Sequence, residues 1–314
     1  MSKLFALVLV MAAASGLGCV DDDVRGSVVD SGVGADTGAA ADSSFPTDAP
    51  DRDATGADTG TGTDAGVPEG LNIVFDYRFD TSGFFADPAR REVLEAAAAV
   101  WGSHLIDDFE DIPAGTSIRT RNPETPTAGG MSFRAETAID DVLIFAACAS
   151  FEDGTAQSNN TAALSSVTDT ALQARLRERY EGSDFEPWTG WVSFNCDEVW
   201  FFDMTPETDD DIPGSDADFF STAMHEIGHI LGFGTADAFF ALVPDGDSFM
   251  GSEAMRVFGG PVPLTPSNVH FQSSVRSDGL PTLMDPSRTI GTRTRPTSVD
   301  RAVMFDLGYE SSGR

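Results

Sequence analysis

His225-Glu226-Ile227-Gly228-His229-Ile230-Leu231-Gly232 sets two imidazoles four residues apart, with a glutamate beside the first. Residues four apart on an α-helix lie one above the other, so both rings can reach one ion while Glu226 points at its open side. The flanking residues agree with a helix. Phe219, Phe220, Ala223, Met224, Ile227, Ile230 and Leu231 form a broad apolar face, and Asp218 ahead of them is a good N-cap. The chain has four histidines in all and places two of them here. The stretch therefore reads as a zinc-hydrolase site, with His225 and His229 as metal ligands and Glu226 as general base toward a zinc-activated water. The plainer alternative is a buried helix that merely carries two histidines. Gly232 sharpens the reading, because a glycine there can end the helix in a left-handed turn and send the chain back past the metal.

Three residues beyond Gly232, where the metzincin clan of metallopeptidases carries its third histidine, this chain has Thr235, a poor zinc ligand. Further on, Val269-His270-Phe271 precedes Leu283-Met284-Asp285-Pro286, a segment that resembles the Met-turn beneath the metzincin zinc site. This order resembles the leishmanolysin arrangement, in which an insertion separates the second and third histidines. It is still more similar to bacterial exported metallopeptidases that read His, Leu-Met-Asp-Pro, then Asp-x-x-x-Met-x-Asp-Leu-Gly-Tyr. Here that tail is Asp300 through Asp306-Leu307-Gly308-Tyr309, and the resemblance spans about Leu71 to Glu310.

The resemblance implies zinc held by His225, His229 and His270, with Met284 as an apolar floor under the imidazoles rather than a ligand. It implies an α/β (α+β) domain: a twisted mixed sheet, a backing helix, the active-site helix and a smaller C-terminal part carrying the Met-turn. The activity it implies is endopeptidase cleavage of protein or peptide substrates. Two rivals for the third ligand stay open. Glu253 lies in a helical patch over 252–258 at the distance where a thermolysin-like enzyme places its glutamate, and Asp237 resembles the aspartate ligand of some short bacterial proteases. Tyr309 is a candidate second electrophile. A zinc amidase acting on cell-wall peptides could use the same helix. A surface binding module with purely structural zinc is a further alternative, although such a module has no need of Glu226.

The chain has 314 residues, of which 69–314 have the apolar content for one sizeable core. Lys3 followed by the apolar run 4–14 is expected to be a secretory signal peptide over residues 1–19, too short to span a membrane. Gly16-Leu17-Gly18-Cys19 resembles a lipoprotein cleavage box, which would lipidate Cys19 and tie the protein to a bacterial cell envelope; ordinary secretion is the alternative. Residues 20–68 carry eleven aspartates against two arginines and almost no large apolar side chain. Such a segment is expected to stay disordered and extended, as a tether. Outside the reducing cytoplasm Cys148 and Cys196 are expected to form a disulfide, adding roughly 3–4 kcal/mol on the chain-entropy argument.

The formal net charge is −32 and Lys3 is the only lysine, so a nucleic-acid footprint is not expected. The only membrane contact expected is the lipid anchor. Glu207-Thr208-Asp209-Asp210-Asp211 and Asp216 to Asp218 form an acidic cluster ahead of the zinc helix. It reads as a solvated loop, with a structural Ca2+ site as the sharper alternative. Periodicity predicts strands over 71–77 and 141–147, helices over 87–101 and 169–180, and one or two strands over 191–203. His104, near the end of the first of these helices, is assigned a structural role because the helix dipole favours it there. The strand over 141–147 is expected to form the sheet edge bordering the cleft, where an extended substrate could add by main-chain hydrogen bonds.

Overall fold

The computed structural model describes residues 70–311, apart from 129, 152–153, 162–166, 206–207, 210 and 288–289. The signal segment, Cys19 and the acidic stretch 20–68 lie outside the described residues. The chain forms β1 (Ile73–Asp76), α1 (Pro88–His104), a hairpin of β2 (Ser117–Thr120) and β3 (Met131–Arg134), then β4 (Val142–Ala149) and β5 (Ala156–Asn160). There follow α2 (Thr170–Glu181), β6 (Thr189–Asn195), β7 (Trp200–Phe201), β8 (Ala217–Asp218) and α3 (Phe219–Ile230). The C-terminal part holds α4 (Asp237–Ala241), β9 (Ser248–Phe249), α5 (Ser252–Phe258), β10 (Val262–Pro263), β11 (Arg276–Ser277), β12 (Leu280–Pro281) and α6 (Ser298–Asp306). Among the described residues no helix is long and apolar enough to cross a membrane.

The main sheet is open and mixed, in the order β1-β4-β6-β5. β1, β4 and β6 run parallel, and β5 pairs antiparallel to β6. This corrects the sequence expectation: β4 is an interior strand, and β5 is the edge on the side of α3. The run Val142 to Ala149 is apolar without alternation and buried almost throughout, as a strand covered on both faces must be. β5 reads Ala-Gln-Ser-Asn-Asn, a sequence that gives no strand signal because it has neither apolar alternation nor β-branched residues.

α1 and α3 pack together. Asp87 caps α1 by accepting from Ala89 N, and Pro88 stands at N1, where its missing N–H costs nothing. Trp101 on α1 is fully buried and donates its indole N–H to Met224 O on α3 at 2.8 Å. The start of α3 is held by a ring cluster, with Phe219 lying 4.5 Å from Phe194, 4.6 Å from Phe202 and 5.3 Å from Trp200 between centroids. The end of α3 rests on β6 at Gly190, where an added Cβ would come within 2.5 Å of the Ile230 side chain.

Cys148 and Cys196 form the expected disulfide, stapling the end of β4 to the residue after β6. Replacing both by alanine is expected to lower unfolding free energy by roughly 3–4 kcal/mol, read as a lower denaturant midpoint.

Glu310 returns to the segment that follows α1. Glu310 N donates to both carboxylate oxygens of Asp107 at 3.1 Å, and Ile106 N donates to Glu310 O at 3.2 Å. Burial pushes the Asp107 carboxyl up to about 6. An acid whose folded pKa exceeds its unfolded value, near 3.9, loses folding stability as pH rises through that window. Asp107→Asn should therefore stabilise the protein at pH 7.5 by about 1 kcal/mol, after discounting the half-exposed position. The gain should shrink at pH 5, which denaturant unfolding at the two pH values will check.

Candidate metal centre

α3 enters through a capped, charge-compensated start. Asp218 accepts from Ser221 N at 3.1 Å and from Ser221 Oγ at 2.5 Å. The fully buried Arg293 side chain pairs with Asp218 at 2.8 Å and with Asp203 at 2.7 Å. Arg295 pairs with Asp209 at 2.8 Å. The acidic cluster is therefore not simply a solvated loop, since arginines from the C-terminal part pair with two of its members, Asp209 and Asp218. Glu207 and Asp210 lie outside the described residues. As to calcium, the one carboxylate group compact enough for a metal among the described residues is elsewhere, at Asp108, Asp140 and Asp141. There the Asp141 carboxylate already accepts from Asn72 N at 2.7 Å and Phe109 N at 2.6 Å.

His225, His229 and His270 come together although His229 and His270 are 41 positions apart. Their Nε2 atoms form a triangle of 3.1, 3.1 and 3.2 Å. Tetrahedral zinc with Zn–N bonds of ~2.0–2.1 Å demands an N···N spacing of ~3.3 Å, so the triangle fits. The outer ring nitrogens support the same conclusion. His225 Nδ1 faces Leu283 O at 2.8 Å and His229 Nδ1 faces Phe233 O at 2.7 Å. A carbonyl only accepts, so both Nδ1 atoms carry the proton and both Nε2 atoms present lone pairs to one point. Facing lone pairs at this distance gain nothing from one another, and the three nitrogens could hold a shared cation. All three rings are buried. Imidazole sets of this kind suit zinc, copper, iron or nickel.

The long return to His270 depends on two glycines. Gly232 ends α3 with φ 108°, and an added Cβ there would lie 2.8 Å from the Phe185 ring. Gly234, at φ 66°, lies so close to the Val269 backbone that no side chain fits between them, which brings His270 against the end of α3. Thr235, in the place of the short-pattern histidine, donates to His229 O at 2.6 Å and accepts from Asn160 Nδ2 on β5 at 2.9 Å. It is a brace between helix and edge strand. Ser158 on the same strand donates to Glu226 O at 2.9 Å. Glu226 is 1 % exposed and follows His225 directly.

Neither rival ligand joins the cluster. Glu253 sits on α5 in an ion pair with Arg256 at 3.0 Å, and Asp237 is exposed at the start of α4. Met284 packs under α3 at Gly228, where an added Cβ would lie 2.8 Å from its Sδ and 3.3 Å from Trp101 Cζ2. Tyr309, the candidate electrophile, has its hydroxyl already engaged. Its hydroxyl is buried and donates to Leu231 O at 3.1 Å, and burial holds its proton well above the ordinary tyrosine range. His104 lies in the last turn of α1 apart from the cluster, and its pKa is lowered by burial.

The other members of the C-terminal motif, whose roles were not readable from sequence, are fasteners. Asp306 accepts from Glu253 N and Ala254 N at 2.8 Å, capping α5. Asp285 accepts from Ser273 Oγ and Ser287 N at 2.8 Å. Asp300 accepts from the backbone of the Leu283-Met284 turn. Compared with known proteins, the chain matches no family model and no curated sequence.

Proposed function

We propose that this protein is an exported zinc endopeptidase of metzincin type. The observation that carries this reading is the Nε2 triangle of 3.1–3.2 Å with Glu226 on the same helix. Zinc held there supplies a Lewis acid for the scissile carbonyl and lowers the pKa of the attacking water. Glu226, one residue from the first ligand, is the base that takes the proton of that water. Its protonated carboxyl then gives the proton to the leaving amine. His225 and His229 stay in the ligating tautomer because Leu283 and Phe233 fix their Nδ1 protons.

β5 is the edge along which an extended peptide would pair by main-chain hydrogen bonds. It is tied to α3 through Ser158 and, by way of Thr235, through Asn160, so a peptide docked there would lie along the active-site helix. The Cys148–Cys196 disulfide accords with export, and Cys19 is the proposed lipid-anchor position. Mass spectrometry of an unstructured protein after digestion tests the reading. Internal cuts that stop on chelation and return with zinc support it, and intact substrate beside zinc-loaded protein contradicts it.

A further inference from the structure

The dipeptide Leu283-Met284 uses all four of its backbone polar groups, and each bond serves the metal centre. Leu283 O accepts from His225 Nδ1 at 2.8 Å, orienting the first ligand. Met284 O accepts from Phe271 N at 2.9 Å, fixing the residue next to the third ligand. The Met284 side chain fills the space under Gly228, between the two helical ligands. The two N–H groups both point at one side chain, with Leu283 N donating to Asp300 Oδ2 and Met284 N to Asp300 Oδ1, each at 3.0 Å. Asp300 is fully buried at the start of α6 and also accepts from Thr297 N at 2.8 Å and Thr297 Oγ1 at 2.6 Å.

We propose that Asp300, which touches none of the three histidines, is the positioning residue that sets their spacing through Leu283-Met284. This rests on the metal-site reading above. The helix carrying His225 and His229 and the loop carrying His270 meet on this dipeptide, so its position fixes the offset between the two ligand sources. Only a carboxylate suits the place. Adjacent N–H groups and the two Thr297 donors require acceptors on both oxygens, whereas the amide of an asparagine would turn two hydrogens toward one of those donors. A partner that orients a ligand in this way typically changes metal affinity by a factor of roughly 10–100 when it is removed.

The test compares wild type, Asp300→Asn and Asp306→Asn in the full chain. Zinc dissociation constants come from chelator competition, and the visible bands of the cobalt-substituted proteins report ligand geometry. Asp306 is the control because it caps α5 through Glu253 N and Ala254 N, a fastening of the same chemical kind on a helix that carries no ligand. Asp300→Asn should bind zinc roughly 10–100-fold more weakly with altered cobalt bands. Asp306→Asn should lose thermal stability while keeping wild-type affinity and bands. If Asp300→Asn does not fold, Asp300→Glu carries the test, since it keeps both oxygens but displaces them by one methylene; weaker zinc binding and shifted bands support the proposal. Wild-type affinity and bands in the folded Asp300 variant overturn it alone. A wild-type chain that takes up neither zinc nor cobalt overturns the metal reading and this inference together.

Discussion

Glu226→Ala should bind zinc at the wild-type level and cleave peptides roughly 10²–10⁴-fold more slowly, the usual cost of removing a positioned general base. The two effects separate because the proposed ligand atoms are the three Nε2 nitrogens, and Glu226 contributes none of them to the triangle. The side chain is buried beside the ligands, so its removal opens a small space without breaking the Nδ1 bonds that orient His225 and His229. Zinc content by elemental analysis, alongside initial rates on one peptide, measures both quantities. A variant that keeps the wild-type rate would remove Glu226 from the mechanism. One that loses zinc together with activity would make Glu226 part of the metal site.

His270→Ala should lose zinc. Apparent binding energies of ~10–16 kcal/mol at four-ligand structural sites correspond to about 2.5–4 kcal/mol per ligand, or roughly 10²–10³-fold in affinity. The same variant decides among the three carriers of a third ligand. Glu253 is engaged with Arg256 on α5 and Asp237 is exposed on α4, so neither is placed to take over. Full zinc retention in His270→Ala, measured by chelator competition, would contradict the three-histidine site. Zinc loss in Glu253→Ala with retention in His270→Ala would transfer the ligand role to α5.

The parts of this fold that sequence disclosed are those written in local periodicity. The His225–His229 pair on α3, its Asp218 cap, the Asp87-Pro88 start of α1 and the buried strand β4 each follow from residues within a few positions of one another. The left-handed turn at Gly232 was equally legible, and the observed φ of 108° bears it out. What sequence concealed is non-local. β4 appeared to be an edge because its apolar run says that it is buried but not which strands lie beside it, and the actual edge, β5, is polar. The β2–β3 hairpin went unseen because Ser117 to Thr120 and Met131 to Arg134 are short and carry arginines. The pairing of Arg293 with Asp203 and Asp218 is also hidden, because these partners lie 90 and 75 positions away (293 − 203 and 293 − 218), and it is the arginine that neutralises Asp218 of the acidic cluster. Tyr309 shows the limit of motif reading most plainly. The motif marks it out, and the fold adds that its buried hydroxyl is committed to Leu231 O. Asp300 is the converse, a motif aspartate whose connection to the histidines passes through the backbone of two other residues and leaves no trace in spacing.

In the proposed mechanism three histidines and Glu226 form one peptide-cleaving zinc centre. The most direct measurement is a zinc titration of the metal-free protein in which metal uptake and cleavage of a peptide library are followed together. Uptake and cleavage should rise in step and break at one zinc per chain. Uptake of one zinc with no peptide cut at any point in the titration would contradict it, and would turn attention to cell-wall peptides or to a binding role.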